Sequence, residues 1–193
     1  MKKIILFLAS FLAVSMAMAQ SASISGTILR PDGAVVTGIT VKLLNAQGQL
    51  VASTGVFGNG LYQFANIPTG QEYTLVPELQ GQALLDVSTL DIVLGAQHIL
   101  GIIQLDSPFK VLAGDVNQSN SLTTLDLALI RQMVLGITTD FPANWRFFRT
   151  DTQFINDNNP WQGLSGGDDG SFLLEEDITG LDFYAVKVGD LSW

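Results

Sequence analysis

The sequence predicts an α+β chain: an N-terminal antiparallel β-sandwich, then a pair of loop–helix repeats, then an irregular C-terminal extension. Three observations predict it. Residues 21–79 are short runs of β-branched and aromatic residues separated by turn residues. A segment beginning at Ser88 recurs at Thr123 with helical spacing of its apolar residues. The chain after residue 138 is aromatic and irregular, with no clear period of either kind.

The chain starts as an exported protein does. Lys2 and Lys3 precede an apolar run from Ile4 to Val14, and Ala17-Met18-Ala19 follows. That is the layout of a secretory signal peptide, so residues 1–19 are expected to be removed. Removing them from 193 residues leaves 174, and basic residues fall from nine to seven against 18 acidic ones. The mature chain then carries a net charge of −11. Such a chain repels nucleic acid and anionic membranes and is compatible with cation binding. No other stretch is apolar enough to span a bilayer, so no membrane contact is expected after cleavage. There is no cysteine, hence no disulfide framework and no lipid-modified N-terminus.

The sandwich is read from five runs: ASISGTIL, ITVKLLN, GQLVAST, GLYQFANI and EYTLVPEL. Alternation is plain in Val41 and Leu43 against Lys42, and in Tyr62 and Phe64 against Gln63 and Ala65. This period of two places Tyr62, Phe64 and Tyr73 in a core, although the same aromatics invite a sugar-stacking reading. The stretch from Gly60 to Leu75 has the form G-x-Y-x-F-x-N-I-P-x-G-x-x-Y-T-L. With the runs before it, it resembles the carboxypeptidase-regulatory-like or Cna-B-like sandwich modules of secreted bacterial proteins. That resemblance implies a spacer or stalk, and in some relatives a carbohydrate-binding surface.

The two repeats are STLDIVLGAQHILGI and TTLDLALIRQMVLGI, offset by 35 residues. Leu90/Leu125, Asp91/Asp126, Leu94/Leu129, Leu100/Leu135 and Gly101/Gly136 are identical pairs. Each reads as an amphipathic helix closed by a glycine in the left-handed region. Neither buries its apolar face alone, so the two are expected to pack together.

The loop before the second helix, DVNQSNSLTTLD, carries the chemistry. Calcium takes six to eight oxygens, and an EF-hand loop supplies them from positions 1, 3, 5, 7, 9 and 12. Here those are Asp115, Asn117, Ser119, the Ser121 carbonyl, Thr123 and Asp126. Ser at position 5, Asn120 in place of the glycine at position 6, and Asp at position 12 depart from the usual pattern. A second reading stands beside the first: Thr123 to Asp126 is also a helix capping box, as is Ser88 to Asp91. A cap leaves Asp115, Asn117 and Ser119 unexplained. In the first repeat the corresponding positions 1, 3 and 5 are Gln80, Gln82 and Leu84, and Leu84 offers no side-chain oxygen, so that loop is expected to be capped and metal-free or weakly binding.

The run GDVNQSNSLTTLDLALIRQMVLG resembles the type I dockerin repeat, D-x-N-x-x-x-x-L-[ST]-x-x-D followed by a helix ending in Leu-Gly. The resemblance implies Ca2+ at Asp115, Asn117, Ser119, Ser121, Thr123 and Asp126. It also implies a cohesin-like protein partner, or another surface protein, met by helix faces beside the loops. The tail resembles extensions that follow such repeats and end in [IV]-K-[IV]-G-D-[VL], matched by Val186 to Leu191; Asp190 would open another polar loop.

Other candidates are weak. His98 is the sole histidine and aligns with Met133 of the second repeat, so it reads as packing. No G-x-S-x-G elbow is present. Asp168-Asp169 and Glu175-Glu176-Asp177 read as a solvated acidic face, and Trp145 and Trp161 as core anchors. The expected organisation is signal peptide 1–19, sandwich 20–79, calcium-binding repeats 80–138, and an extension 139–193 packing on the repeats. The expected function is a secreted, non-catalytic interaction or anchoring module at the cell surface. The alternative is a carbohydrate-binding accessory protein of polysaccharide degradation, with the sandwich reading the sugar.

Overall fold

The computed structural model describes residues 20–162, 164 and 171–193. The expected signal peptide and Asp168-Asp169 lie outside the described residues. The sandwich forms from β1 (Ser21–Leu29), β2 (Thr40–Asn45), β3 (Leu50–Gly55), β4 (Leu61–Pro68) and β5 (Gln71–Glu78). All five coincide with the runs read from the sequence. Along β1 burial alternates residue by residue, which puts Ala22, Ile24 and Ile28 inward. β1 pairs with β4, and β2 with both β3 and β5, all antiparallel.

Three helices follow: α1 (Thr89–Ile99), α2 (Pro108–Gly114) and α3 (Thr124–Val134). Then come β6 (Trp145–Arg149), β7 (Ser171–Leu174) and β8 (Phe183–Lys187). These last strands complete both sheets. One has the order β4-β1-β8-β6, the other β3-β2-β5-β7. β8 lies parallel to β1, with Ile28 opposite Phe183, and is the only parallel neighbour pair of named strands among the described residues. The extension therefore packs on more than the repeats: Phe141, Val188 and Leu191 join the helical core, while Trp145, Leu174 and Phe183 belong to the sandwich core. Its strands join the sandwich across long stretches of sequence: β7 pairs with β5 about a hundred residues away, and β8 with β1 about 155 away.

Tyr62, Phe64 and Tyr73 are buried between the sheets. The Tyr62 hydroxyl donates to the Leu181 carbonyl and the Tyr73 hydroxyl to that of Pro68 at 2.9 Å. None offers a ring face to a sugar. Trp145 is buried in the sandwich core, and Trp161 packs against a smaller cluster of Leu112, Ala113, Phe148 and Val186.

The helical core holds Ala83, Val87, Val116, Leu127, Ile130, Met133, Val188 and Leu191, with α1 packed on α3. Both helices are closed alike. Gly101 and Gly136 each have φ of 68°. The next residue donates back to the sixth position in each, Ile102 to Gln97 and Ile137 to Gln132, both at 2.9 Å. These are Schellman closures, which satisfy the last carbonyls of a helix. His98 sits in the last turn of α1, and its Nδ1 accepts from the Leu105 amide at 3.1 Å.

Candidate functional site

The Asp115–Asp126 segment connects α2 to α3. α2 lies between the two repeats and was not expected from the sequence pattern. Ser107-Pro108 was the available signal, since a serine cap followed by proline at the first helical position opens many helices. In the structure the Ser107 hydroxyl accepts from the Phe109 amide at 3.2 Å. α2 then delivers Asp115 to the mouth of the loop.

Inside the loop the backbone is wound by its own side chains. Asp115 accepts from the amides of Ser119 and Asn120, both at 2.9 Å. Asn117 Oδ1 also accepts from Ser119 N at 2.9 Å. Asn120 has φ of 62°, the left-handed conformation that the position-6 glycine usually supplies and that asparagine tolerates. Ser119 Oγ lies 3.2 Å from the Ser121 carbonyl. At the far end Thr123 caps α3, and Asp126 Oδ2 accepts from Thr123 N and Oγ1 at 2.9 Å each. Asp126 Oδ1 turns back to the loop and accepts from Asn117 N at 3.3 Å. The capping reading thus holds for Asp126, and the fold also draws Asp115, Asn117 and Ser119 into the same polar knot.

Asp115 and Asp126 are both fully buried, at 0 % exposure. Neither has a basic partner within ion-pair distance among the described residues. Isolated buried carboxylates are costly unless a cation or several donors compensate them. The donors here are all oxygens, two of them charged, which is the chemistry of a hard cation. No group of three or more His, Cys, Asp or Glu side chains gathers to hold a metal among the described residues. A metal in this loop would therefore lean on neutral oxygens for most of its ligands.

The first repeat is built differently. Ser88 caps α1, and Asp91 Oδ2 accepts from Ser88 N at 2.7 Å. Gln80 and Gln82 are exposed, and Leu84 points outward at 52 % exposure. None of the three contributes to a polar knot. Asp86 instead pairs with Arg30 at 2.9 Å. Asp190 is buried and pairs with the same Arg30 at 3.0 Å.

Lys187 lies nearby, 1 % exposed, its Nζ donating to the carbonyls of Ala83 and Val188 at 2.8 Å. Burial pushes its ammonium down from 10.5 to about 8, against the opposing pull of Asp190, Asp86 and Asp91. Between those values the unfolded chain holds a proton that the folded chain has released. Stability therefore rises with pH across that window, by at most ~1.4 kcal/mol per pH unit. Above pH ~10 Tyr62 reverses the slope, because burial raises its phenol well above 10.0 and the folded chain keeps the proton. The urea midpoint should climb between pH 8 and 9.5; a flat or falling midpoint there contradicts this assignment.

These features define a class: a two-sheet β-sandwich carrying a capped helical pair on one end. Comparison with known families agrees for the first part. Residues 23–105 match the family model described as carboxypeptidase regulatory-like domain, which fits a non-catalytic β-sandwich module. That match covers β1 to β5 and α1. No curated protein matches the chain. No described helix is long and apolar enough to cross a membrane.

Proposed function

We propose that this chain is an exported, non-catalytic module in which a dockerin-like helical pair, stabilised by calcium in the Asp115–Asp126 loop, docks on a protein partner and the sandwich serves as spacer. The observation that carries this reading is the pair of fully buried carboxylates, Asp115 and Asp126, with no basic partner among the described residues. A divalent ion there would take oxygens from both, from Asn117 and Ser119, and from the Ser121 carbonyl, with Thr123 contributing directly or through water. Ion binding to the folded loop alone stabilises the fold by linkage.

The repeats also leave apolar side chains in matched exposed positions: Leu90 and Leu125, Leu100 and Leu135, Ile102 and Ile137, each more than half exposed. An open groove of about 500 Å³, lined by Ile92, Leu127, Leu135 and Ile137, lies along the helix pair. Apolar patches of this kind mark interaction surfaces. A cohesin-like partner is what the sequence resemblance implies.

Two measurements test the reading. Calorimetric titration should give one calcium per chain, and chelator should lower the melting temperature. Capture of a secreted partner should require calcium and fail for the Leu100→Asp, Leu135→Asp double variant, whose melting temperature stays within a few degrees of the parent because both sites are solvent-facing. Equal capture by that variant excludes this face.

A further inference from the structure

We propose that the first repeat is a split copy of the second, in which Gly189–Ser192 supplies the half-loop that Gly114–Asn117 supplies in the other and the Arg30 guanidinium takes the cation's place. The proposal deepens the calcium reading and rests on it for the nature of the ion in the second loop; the Arg30 pairing stands independently.

The correspondence is positional. Leu122 and Val87 are the same repeat position, 35 residues apart, each just before its cap residue. Gly114 abuts Leu122, so that a methyl there would meet Leu122 Cδ1 at 2.8 Å; Gly189 abuts Phe141 and Val87, where it would meet Phe141 Cε2 at 2.9 Å and Val87 Cγ2 at 3.2 Å. Each glycine is followed by a fully or almost fully buried aspartate, Asp115 or Asp190. Each aspartate is followed by a buried apolar residue in the shared helical core, Val116 or Leu191. The cap aspartate of each helix then accepts an amide from its half-loop. Asp126 takes that of Asn117 at 3.3 Å, and Asp91 that of Leu191 at 2.7 Å, one residue earlier in register. The two half-loops lie side by side, with Gly189 N donating to Ala113 O at 2.8 Å.

What differs is the charge at the centre. The first repeat places Asp190 at position 1, Asp86 at position 7 and Asp91 at position 12. Arg30 bridges the first two, Nη2 to Asp190 at 3.0 Å and Nη1 to Asp86 at 2.9 Å, with only 13 % of its side chain exposed. A guanidinium suits this place: it is always charged, and its forked donors reach two carboxylates at once. Arg30 follows β1 directly, so the sandwich itself delivers the cation. The consequence is a module that takes one metal ion per chain, with its other loop locked by an arginine.

The test is a set of variants of the mature chain. In EDTA, Arg30→Met should lower the melting temperature by about 5 °C or more, since it strands the buried carboxylate of Asp190. Asp190→Asn added to Arg30→Met should cost less than the same change in the parent; additive losses overturn the pairing. In an Asp115→Ala background, which silences the second loop, Arg30→Met should gain a calcium-dependent rise in melting temperature that Asp115→Ala alone lacks. Its absence overturns the claim that Arg30 fills a cation site. If Arg30→Met does not fold, Arg30→Lys carries the same cycle, and additivity there is equally fatal. A parent chain without any calcium response sinks the second-loop reading and leaves the EDTA cycle to decide this one.

Discussion

Asp115→Ala is expected to abolish the stabilisation that calcium gives this chain. At an ion concentration a hundredfold above the dissociation constant, that stabilisation is ~2.7 kcal/mol. The loss appears only with calcium present. In EDTA the variant forfeits three hydrogen bonds, from Ser119 N, Ser119 Oγ and Asn120 N, and is relieved of a buried charge. Those effects oppose one another, so the two proteins should melt within about 1 kcal/mol of each other. Thermal melts in calcium and in EDTA separate the terms. A variant that keeps the parent's calcium shift removes Asp115 from the metal site. A variant equally destabilised in both buffers makes Asp115 a loop-winding residue only. Gln80→Ala should change neither melt, because Gln80 is exposed and its side chain makes no hydrogen bond among the described residues.

The second large effect belongs to the sandwich. Gly26 lies in the middle of β1, between β4 and β8. A methyl group there would sit 2.3 Å from the Leu181 carbonyl oxygen and 2.9 Å from the Tyr62 hydroxyl. The obstacle is backbone, and it is pinned. Ser25 donates to Ile178 O at 2.9 Å, and Leu181 donates to Ser25 O at 3.2 Å. Gly26→Ala must therefore push the 178–181 segment off β1 and break the Tyr62–Leu181 hydrogen bond inside the core. Overpacking and a broken buried hydrogen bond together cost about 3 kcal/mol or more. For a chain of this size that is a fall of roughly 10 °C. Gly55→Ala is the control, since a methyl on Gly55 meets nothing within 4 Å. Similar melting of the two variants would contradict the close approach.

The strands β1 to β5 were legible because turn residues separate them and most are buried on one face, which writes a period of two into the residues; β3 is only partly covered. The helices α1 and α3 were legible for a further reason: the same cap, periodicity and closing glycine occur twice, and the structure repeats both caps and both Schellman closures. Spacing alone picked out the six oxygens expected of the second loop; the structure gathers Asp115, Asn117, Ser119 and Asp126 into one hydrogen-bonded knot. The first loop was legible as a helix cap, which the structure shows at Ser88 and Asp91. What spacing did not show is that the buried oxygen of its cap aspartate accepts the Leu191 amide, from a hundred residues further along the chain.

By itself the sequence determined the local elements: which runs alternate, where two helices begin and end, and which loop is rich in oxygen. Those depend on interactions within a few residues, which spacing records. Tertiary structure alone decided that β6 to β8 complete both sheets, that Arg30 stands between Asp86 and Asp190, and that Asp115 and Asp126 are buried without a basic partner among the described residues. Each of these depends on segments brought together from across the chain, Arg30 and Asp190 being 160 residues apart. Burial and charge compensation are properties of that gathering, and no local pattern of residues encodes them.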